Sequence, residues 1–217
     1  MKRILIVRTS AIGDVVFASA LPGAIRRAHP DAHIAWLVEP GIHELLLADP
    51  DIDEVITWSK AEWVKLWKSG RRLELLGRVR ALRRELHARR FDMALDLQGL
   101  MKSGFLTWLS GAPRRVGLGS KEGSQLLMSE VIPRGGEQAR IGSEYKYLAE
   151  QLGFEAADIR NLEAVETALG AGEDRERLLF ERQRAELGLL EQLGHAGTAV
   201  ELLAGGFVQV GSELRKR

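Results

Sequence analysis

Over the first 150 or so positions, short runs of apolar residues closed by Gly, Pro or acidic clusters alternate with stretches whose apolar residues recur every three or four places. The first pattern is that of strands buried on both faces of a parallel sheet, the second that of amphipathic helices. Ile4-Leu5-Ile6-Val7 reads as the first strand, and His33-Ile34-Ala35-Trp36-Leu37-Val38 as the second, stopped by Glu39-Pro40-Gly41. Asp53-Glu54-Val55-Ile56-Thr57-Trp58 is a weaker third candidate after the turn-like Asp49-Pro50-Asp51. A long basic helix is expected next, with Leu75, Val79, Leu82 and Leu86 as its inward stripe and arginines on the other side. The chain then returns to the sheet over residues 91–97, turns at Gln98-Gly99 and enters a helix spanning about residues 100–109. This alternation predicts a doubly wound α/β domain with a mainly parallel sheet.

In such a sheet the ligand crevice lies outside the carboxyl ends of the strands, which singles out two loops. The first is Arg8-Thr9-Ser10-Ala11-Ile12-Gly13-Asp14, where a cation, two hydroxyls and a carboxylate gather and Gly13 is expected to turn the chain sharply into a helix. Asp14 has two readings, a group that does chemistry or a helix N-cap. Phe17 stands where a capping box needs Glu or Gln, so the cap reading gains no support. The second loop gathers Asp96, Gln98 and Lys102. A lysine in the first turn of a helix opposes the macrodipole, so Lys102 is either a bound anion's partner or an ordinary solvated side chain. The loops contain neither G-x-G-x-x-G nor G-x-x-x-x-G-K-[ST], which removes the main support for a dinucleotide or P-loop site.

Composition narrows the class. The 217 residues are 45% hydrophobic and 28% charged, with no cysteine, so disulfides and thiolate sites are excluded. The apolar run in MKRILIV is too short for a signal peptide and charges interrupt every other span, so a soluble cytoplasmic protein is expected. Net charge is +1 but uneven: residues 59–90 hold 11 Lys/Arg against 3 Glu, and residues 155–191 hold 10 Asp/Glu against 5 Arg. The basic segment suggests an anionic partner. Within it, Trp63, Lys65, Trp67, Lys68, Arg71 and Arg72 surround Gly70, either as a mobile anion-binding loop or as the amphipathic start of the long helix. No nucleic-acid-binding signature accompanies the charge, so no nucleic-acid partner is expected. The 5 histidines are scattered, which gives a metal site or a histidine triad little support.

RILIVRTSAIGDVVFASALPGAIRRAHPDAHIAWLVEP, DLQGLMKSG, RRVGLGSKEGSQLL and IGSEYKYLAEQLG, in that order over about residues 1–154, resemble the N-terminal half of family nine glycosyltransferases, the ADP-heptose:lipopolysaccharide heptosyltransferases. T-S-A-I-G-D and D-L-Q-G-L-M-K-S are nearer to the enzyme adding the first inner-core heptose than to the second. The resemblance implies a GT-B enzyme whose N-terminal Rossmann-like domain receives a Kdo-lipid A type acceptor at the cytoplasmic face of the inner membrane. Its other domain binds ADP-heptose as donor substrate, and no further cofactor is implied. Asp14 matches the family's catalytic base. Arg8, Thr9, Ser10 and Gly13 on its loop, and Gln98, Gly99 and Lys102 on the other, match acceptor-side positions. Lys68, Arg71 and Arg72 fall near the family's basic acceptor loop.

The family's second half carries donor-binding motifs that have no counterpart among these residues. Residues 1–154 are thus expected to form the acceptor-binding domain, with 155–217 an acidic helical tail or truncated linker and the donor-binding domain absent. Leu178, Ala185, Leu189 and Leu193 fall at heptad-like spacing in that segment, as an amphipathic helix or as the remnant of a linker. Two functions follow: a heptosyltransferase with Asp14 as general base, or a non-catalytic acceptor-binding module lacking the donor site.

Overall fold

The computed structural model describes residues 1–136 and 143–154. Six parallel strands form one sheet: β1 (Arg3–Val7), β2 (His33–Val38), β3 (Glu54–Thr57), β4 (Met93–Asp96), β5 (Arg114–Leu118) and β6 (Glu130–Ile132), in the spatial order β3-β2-β1-β4-β5-β6. This is the Rossmann-like doubly wound arrangement, with the order reversing between β1 and β4. Alternation along β1 explains its unbroken apolar run. Ile4 and Ile6 pack on one face with Trp36, Leu21, Ile25 and Leu148, while Leu5 and Val7 pack on the other with Leu37, Leu86 and Leu106.

The helices supply the two outer layers. α1 (Ile12–Ala18), α2 (Ala20–Ala28) and α7 (Ser143–Gln151) bury Val15, Leu21, Ile25, Tyr145 and Leu148 on the first face. α5 (Arg72–Ala88) and α6 (Met101–Leu109) bury Leu82, Leu86, Leu106 and Leu109 on the second. α3 (His43–Leu47) and α4 (Lys60–Lys68) complete the set. The expected stripe of α5 is present: Leu75, Leu82 and Leu86 are buried and Val79 packs against the core.

The structure corrects three expectations. The long basic helix is two helices. α4 starts at Ser59, whose side chain accepts from the Glu62 N–H at 3.2 Å, and stops at Gly70 (φ +72°), where Gly70 N–H reaches Trp67 O (3.1 Å) and Arg71 N–H reaches Leu66 O (3.0 Å). That pair of bonds is a Schellman motif, with glycine in the left-handed position it requires. Gly13 does not make the turn after β1. It lies inside α1 at negative φ, and the extended N-cap Ala11 (φ −83°, ψ 171°) redirects the chain. β5 and β6 escape the hydrophobic pattern, because β5 carries two arginines and a glycine and β6 is three residues long. The heptad-like segment over residues 178–193 and the division at residue 154 fall in or against the region outside the described residues. Among the described residues, no helix is long and apolar enough to cross a membrane.

Candidate functional site

The carboxyl ends of β1 and β4 stand side by side at the point where the strand order reverses, with Val7 in register with Asp96. The chain therefore delivers Arg8, Thr9 and Ser10 from one strand, and Leu97, Gln98 and Gly99 from the other, to the same crevice. Arg8 is 5% exposed. One guanidinium nitrogen donates to Leu97 O at 2.8 Å, and another forms an ion pair with Asp14, whose side chain is 20% exposed. The Arg8 carbonyl accepts from Trp36 Nε1 at 3.1 Å, so β2 fixes the backbone beneath the pair. Thr9 Oγ1 donates to Gln98 Oε1 at 3.0 Å and ties the two loops together.

Asp14 occupies the first turn of α1, where the helix macrodipole favours a carboxylate. It is not the N-cap: Ala11 holds that position, with no side-chain cap bond. The cap alternative is thereby removed.

Asp96 ends β4 at 0% exposure, and Oδ1 accepts from the N–H groups of Gln98 and Gly99, each at 3.0 Å. Burial holds its carboxyl above the usual carboxylate range, opposed by those N–H donors, the Ser103 hydroxyl and the Arg8 charge. Gly99 must be glycine. At φ +70° a Cβ would lie 2.7 Å from Leu118 O and 2.9 Å from Gly119 O.

Lys102 is not a solvated surface lysine. Its side chain is 26% exposed, with Nζ 3.3 Å from Ser10 Oγ and 3.9 Å from a Glu39 carboxylate oxygen. Burial first and the Lys60 charge second push its pKa down to about 8, against the pull of Glu39. The strand-end loops are thus joined by Arg8 to Leu97 O, Thr9 to Gln98 and Lys102 to Ser10, with Arg8 also pairing with Asp14 and Glu39, after the end of β2, lying near Lys102.

Lys68, Arg71 and Arg72 are not brought to this cluster by any contact. They line the α4–α5 elbow, where Arg71 pairs with Glu74 and Arg72 lies over the Trp67 ring at 5.2 Å. Trp63, on α4, packs edge-on to Trp58 just after β3 at 5.3 Å; the segment is helical, but as its own helix and not as the start of the long one. Gly13 adds backbone only, with nothing within 4 Å of a Cβ built there. Sequence reasoning missed Arg134 and Tyr145. Arg134 donates to Gln98 O at 3.3 Å and pairs with Glu144, while Tyr145 is buried within reach of the Arg8 and Asp14 charges. No local signal marks either one, since both enter from chain segments more than 30 residues beyond Gln98. Among the described residues, no group of three or more His, Asp and Glu side chains is placed to hold a metal ion.

Comparison with known proteins bears on the fold and the family. The family model of glycosyltransferase family 9 (heptosyltransferase) matches residues 79–178. The lipopolysaccharide heptosyltransferase 1 of Pseudomonas aeruginosa is 32% identical over 133 residues, covering 61% of this chain and 36% of that protein. Its Escherichia coli K12 counterpart is 32% identical over 104 residues, covering 48% of this chain and 32% of the relative. Among solved structures, E. coli heptosyltransferase WaaC with ADP-2-deoxy-2-fluoro heptose superposes with a TM-score of 0.62 at 25% identity, over 72% of this chain and 50% of that one.

The α/β Rossmann-like fold of this sheet is what the heptosyltransferase structure shares with the chain. The chain is thus similar to glycosyltransferase family 9, the heptosyltransferases, over residues 79–178. It spans about a third of the length of the curated relatives it matches.

Proposed function

We propose that the chain provides the acceptor-binding side of a heptosyltransferase of lipopolysaccharide inner-core assembly, with ADP-heptose as donor and a Kdo-lipid A type acceptor. Asp14 acts as the general base. Its carboxylate takes the proton of an acceptor hydroxyl as that oxygen attacks the anomeric carbon of heptose with inversion, and ADP departs from the opposite face. Arg8 holds the Asp14 carboxylate in place from a buried position. Thr9, Ser10, Gln98 and Gly99 shape the acceptor side of the crevice, and Lys102 meets acidic groups of the acceptor. Lys68, Arg71 and Arg72 meet the same polyanion further out. The glycolipid acceptor places the reaction at the cytoplasmic face of the inner membrane.

The observation that carries this reading is the Arg8–Asp14 ion pair at the strand-order reversal, within a chain of family 9 resemblance. Buried charge pairs are weak sources of stability, so a pair kept at a crevice points to chemistry there. The test is calorimetric titration of the 217-residue chain with a soluble Kdo-containing acceptor analogue and, separately, with ADP and ADP-heptose. Acceptor binding supports the reading. Acceptor binding without nucleotide binding assigns the chain the acceptor side alone, as a non-catalytic module until a donor site is supplied. Nucleotide binding as well makes it a transferase to be assayed directly. Failure to bind the acceptor analogue overturns the reading.

A further inference from the structure

The loop that follows β4 is held by two guanidinium groups. Arg8, just after β1, donates to Leu97 O at 2.8 Å, and Arg134, just beyond β6, donates to the next carbonyl, Gln98 O, at 3.3 Å. In the strand order β1-β4-β5-β6 the two arginines reach the loop from opposite sides of β4. Each also pairs with a carboxylate in the first turn of a helix, Arg8 with Asp14 of α1 and Arg134 with Glu144 of α7. They differ in burial: Arg8 is 5% exposed, whereas the Arg134 side chain is 40% exposed. An ion pair so open to water adds little to global stability, so the effect of the Arg134–Glu144 pair is local.

The backbone makes room for this contact. A Cβ at Gly119 would run into Cγ and Cδ of Arg134, so the missing side chain lets the arginine stem cross the end of β5. Gly119 N–H donates to Ile132 O at 2.7 Å, and a Cβ at Gly99 would lie 2.9 Å from Gly119 O, so the segments at the ends of β4, β5 and β6 touch in turn. A Cβ at Gly135 would lie 2.6 Å from the Tyr147 ring, which sets α7 against the segment that carries Arg134. Gln98 carries the connection onward: Arg134 holds its carbonyl, and its side-chain Oε1 accepts from Thr9 Oγ1 at 3.0 Å, in the loop that leads to Asp14. The planar guanidinium fork fixes two acceptors in direction at once, which the ammonium of a lysine on its flexible stem does not.

We propose that Arg134 is a positioning residue: clamped by Glu144, it orders the Gln98–Gly99 turn and so sets the Gln98 side chain against Thr9. The ordering of the turn stands on these contacts alone; its consequence for acceptor binding rests on the function proposed above. Arg134 acts through Gln98 and not as a charge offered to the ligand, since Glu144 already meets its charge. A binding group on a loop keeps its geometry only when a supporting shell locks it, and Arg134 supplies that support from the β6 side as Arg8 does from the β1 side.

The test compares Arg134→Ala and Arg134→Lys with the unaltered 217-residue chain. Amide hydrogen exchange, read residue by residue by NMR, needs no ligand. In Arg134→Ala the N–H groups of Gln98 and Gly99, both bonded to Asp96 Oδ1, should exchange about tenfold faster, one hydrogen bond's worth of protection. The Ile6 and Leu95 amides and the melting temperature should hardly change. Level exchange at Gln98 and Gly99 overturns the ordering role, and so does exchange that quickens equally at Ile6 and Leu95, which would mark a loss of global stability. Calorimetric affinity for the soluble Kdo-containing analogue should fall about five- to tenfold in Arg134→Ala, and nearly as far in Arg134→Lys, which keeps the charge but not the fork. In a Gln98→Ala background, Arg134→Ala should cost no more than about twofold further. Unchanged affinity in Arg134→Ala, full affinity in Arg134→Lys, or an equal loss in both backgrounds overturns action on the site through Gln98. An unaltered chain that fails to bind the analogue overturns the acceptor function, while faster exchange confined to Gln98 and Gly99 still upholds the ordering of the turn by Arg134.

Discussion

Two cationic regions of this molecule differ in how their charge is held. At the β1–β4 edge, Arg8 and Lys102 are largely withdrawn from water and are tied to Asp14, Leu97, Ser10 and Glu39. At the α4–α5 elbow, Lys68, Arg71 and Arg72 are exposed, and the pairs the elbow forms are local, Arg71 with Glu74 and Arg72 with Trp67. Low dielectric and fixed partners make a buried charge directional, whereas an exposed one is screened within about 8 Å at physiological salt. Under the proposed function, the first region positions a reacting group and the second attracts a polyanion. A count of lysines and arginines does not separate them.

The sharpest way to break this comparison is Asp14→Asn. If the edge region carries the chemistry, heptose transfer should fall by about 10²–10⁴-fold, the usual contribution of a general base, while acceptor affinity stays within a few-fold. Turnover and calorimetric affinity measured on the same preparation decide it. Loss of binding together with folding would instead make the Arg8–Asp14 pair a structural one.

A paired glycine experiment tests the same contrast through stability. Gly99 and Gly70 have nearly equal φ, +70° and +72°, but Gly99 faces backbone oxygens at 2.7 and 2.9 Å while nothing lies within 4 Å of a Cβ at Gly70. Gly70→Ala should cost about 1 kcal/mol, the strain of the left-handed conformation alone. Gly99→Ala adds a clash with atoms that cannot rotate away and should cost about 2 kcal/mol or more. At about 2–4 °C per kcal/mol for a chain of this size, thermal melting separates the two. Equal melting temperatures would mean that the Gln98–Gly99 turn is no more constrained than the elbow.

What was legible in the sequence follows the range of the interactions involved. The continuous apolar runs of β1 and β2 mark strands sealed on both faces, and the spacing of Leu75, Val79, Leu82 and Leu86 marks one helix face; both are local signals. The two strand-end loops could be found because a doubly wound sheet sends its carboxyl ends to one edge. The break at Gly70 was missed because a glycine within a run of helix-compatible residues is a small penalty unless the next N–H groups close a Schellman motif. β5 was missed because Arg115 satisfies itself on Leu127 O (2.8 Å), 12 residues on, and on the nearby Ala112 O (2.7 Å), bonds that excuse a charged residue from the apolar pattern. For the site, Asp14 and Arg8 could be seen as neighbours in one loop, but not as partners. Lys102 reaches Ser10 across 92 residues and Tyr145 enters from α7, placements set by strand register and helix docking.

Lys102 sharpens the comparison through pH. With its pKa near 8, it is charged at neutral pH and loses its proton as pH rises through that value. Affinity for an anionic acceptor analogue should therefore drop several-fold between pH 7 and about pH 9, and Lys102→Met should bind weakly with that dependence flattened. Folding lowers this pKa from the ordinary 10.5, so the unfolded chain binds the extra proton between about 8 and 10.5. The group's contribution then makes stability rise with pH across that window, and Lys102→Met should remove the rise. Titrations and melting curves of both proteins over pH 7–10 check the two signs together. An unaltered chain whose affinity is level across pH 8 would detach Lys102 from anion binding.

The smallest expected effect lies at the elbow. Arg72→Gln removes one exposed charge and a cation–π contact over Trp67, worth together about 0.5–1 kcal/mol at such a site. Melting temperature should hardly move. Affinity for the acceptor analogue should fall about two- to threefold at low salt and converge with that of the unaltered chain as salt is raised, because a solvent-exposed charge acts through a screened field. Lys102→Met should lose affinity at low and high salt alike, its charge being partly shielded from counter-ions by burial. Parallel salt titrations of the two variants therefore measure directly how far the two regions differ: parallel curves would mean that both cations act only through the long-range field, and diverging ones that the edge grips its ligand while the elbow draws it in.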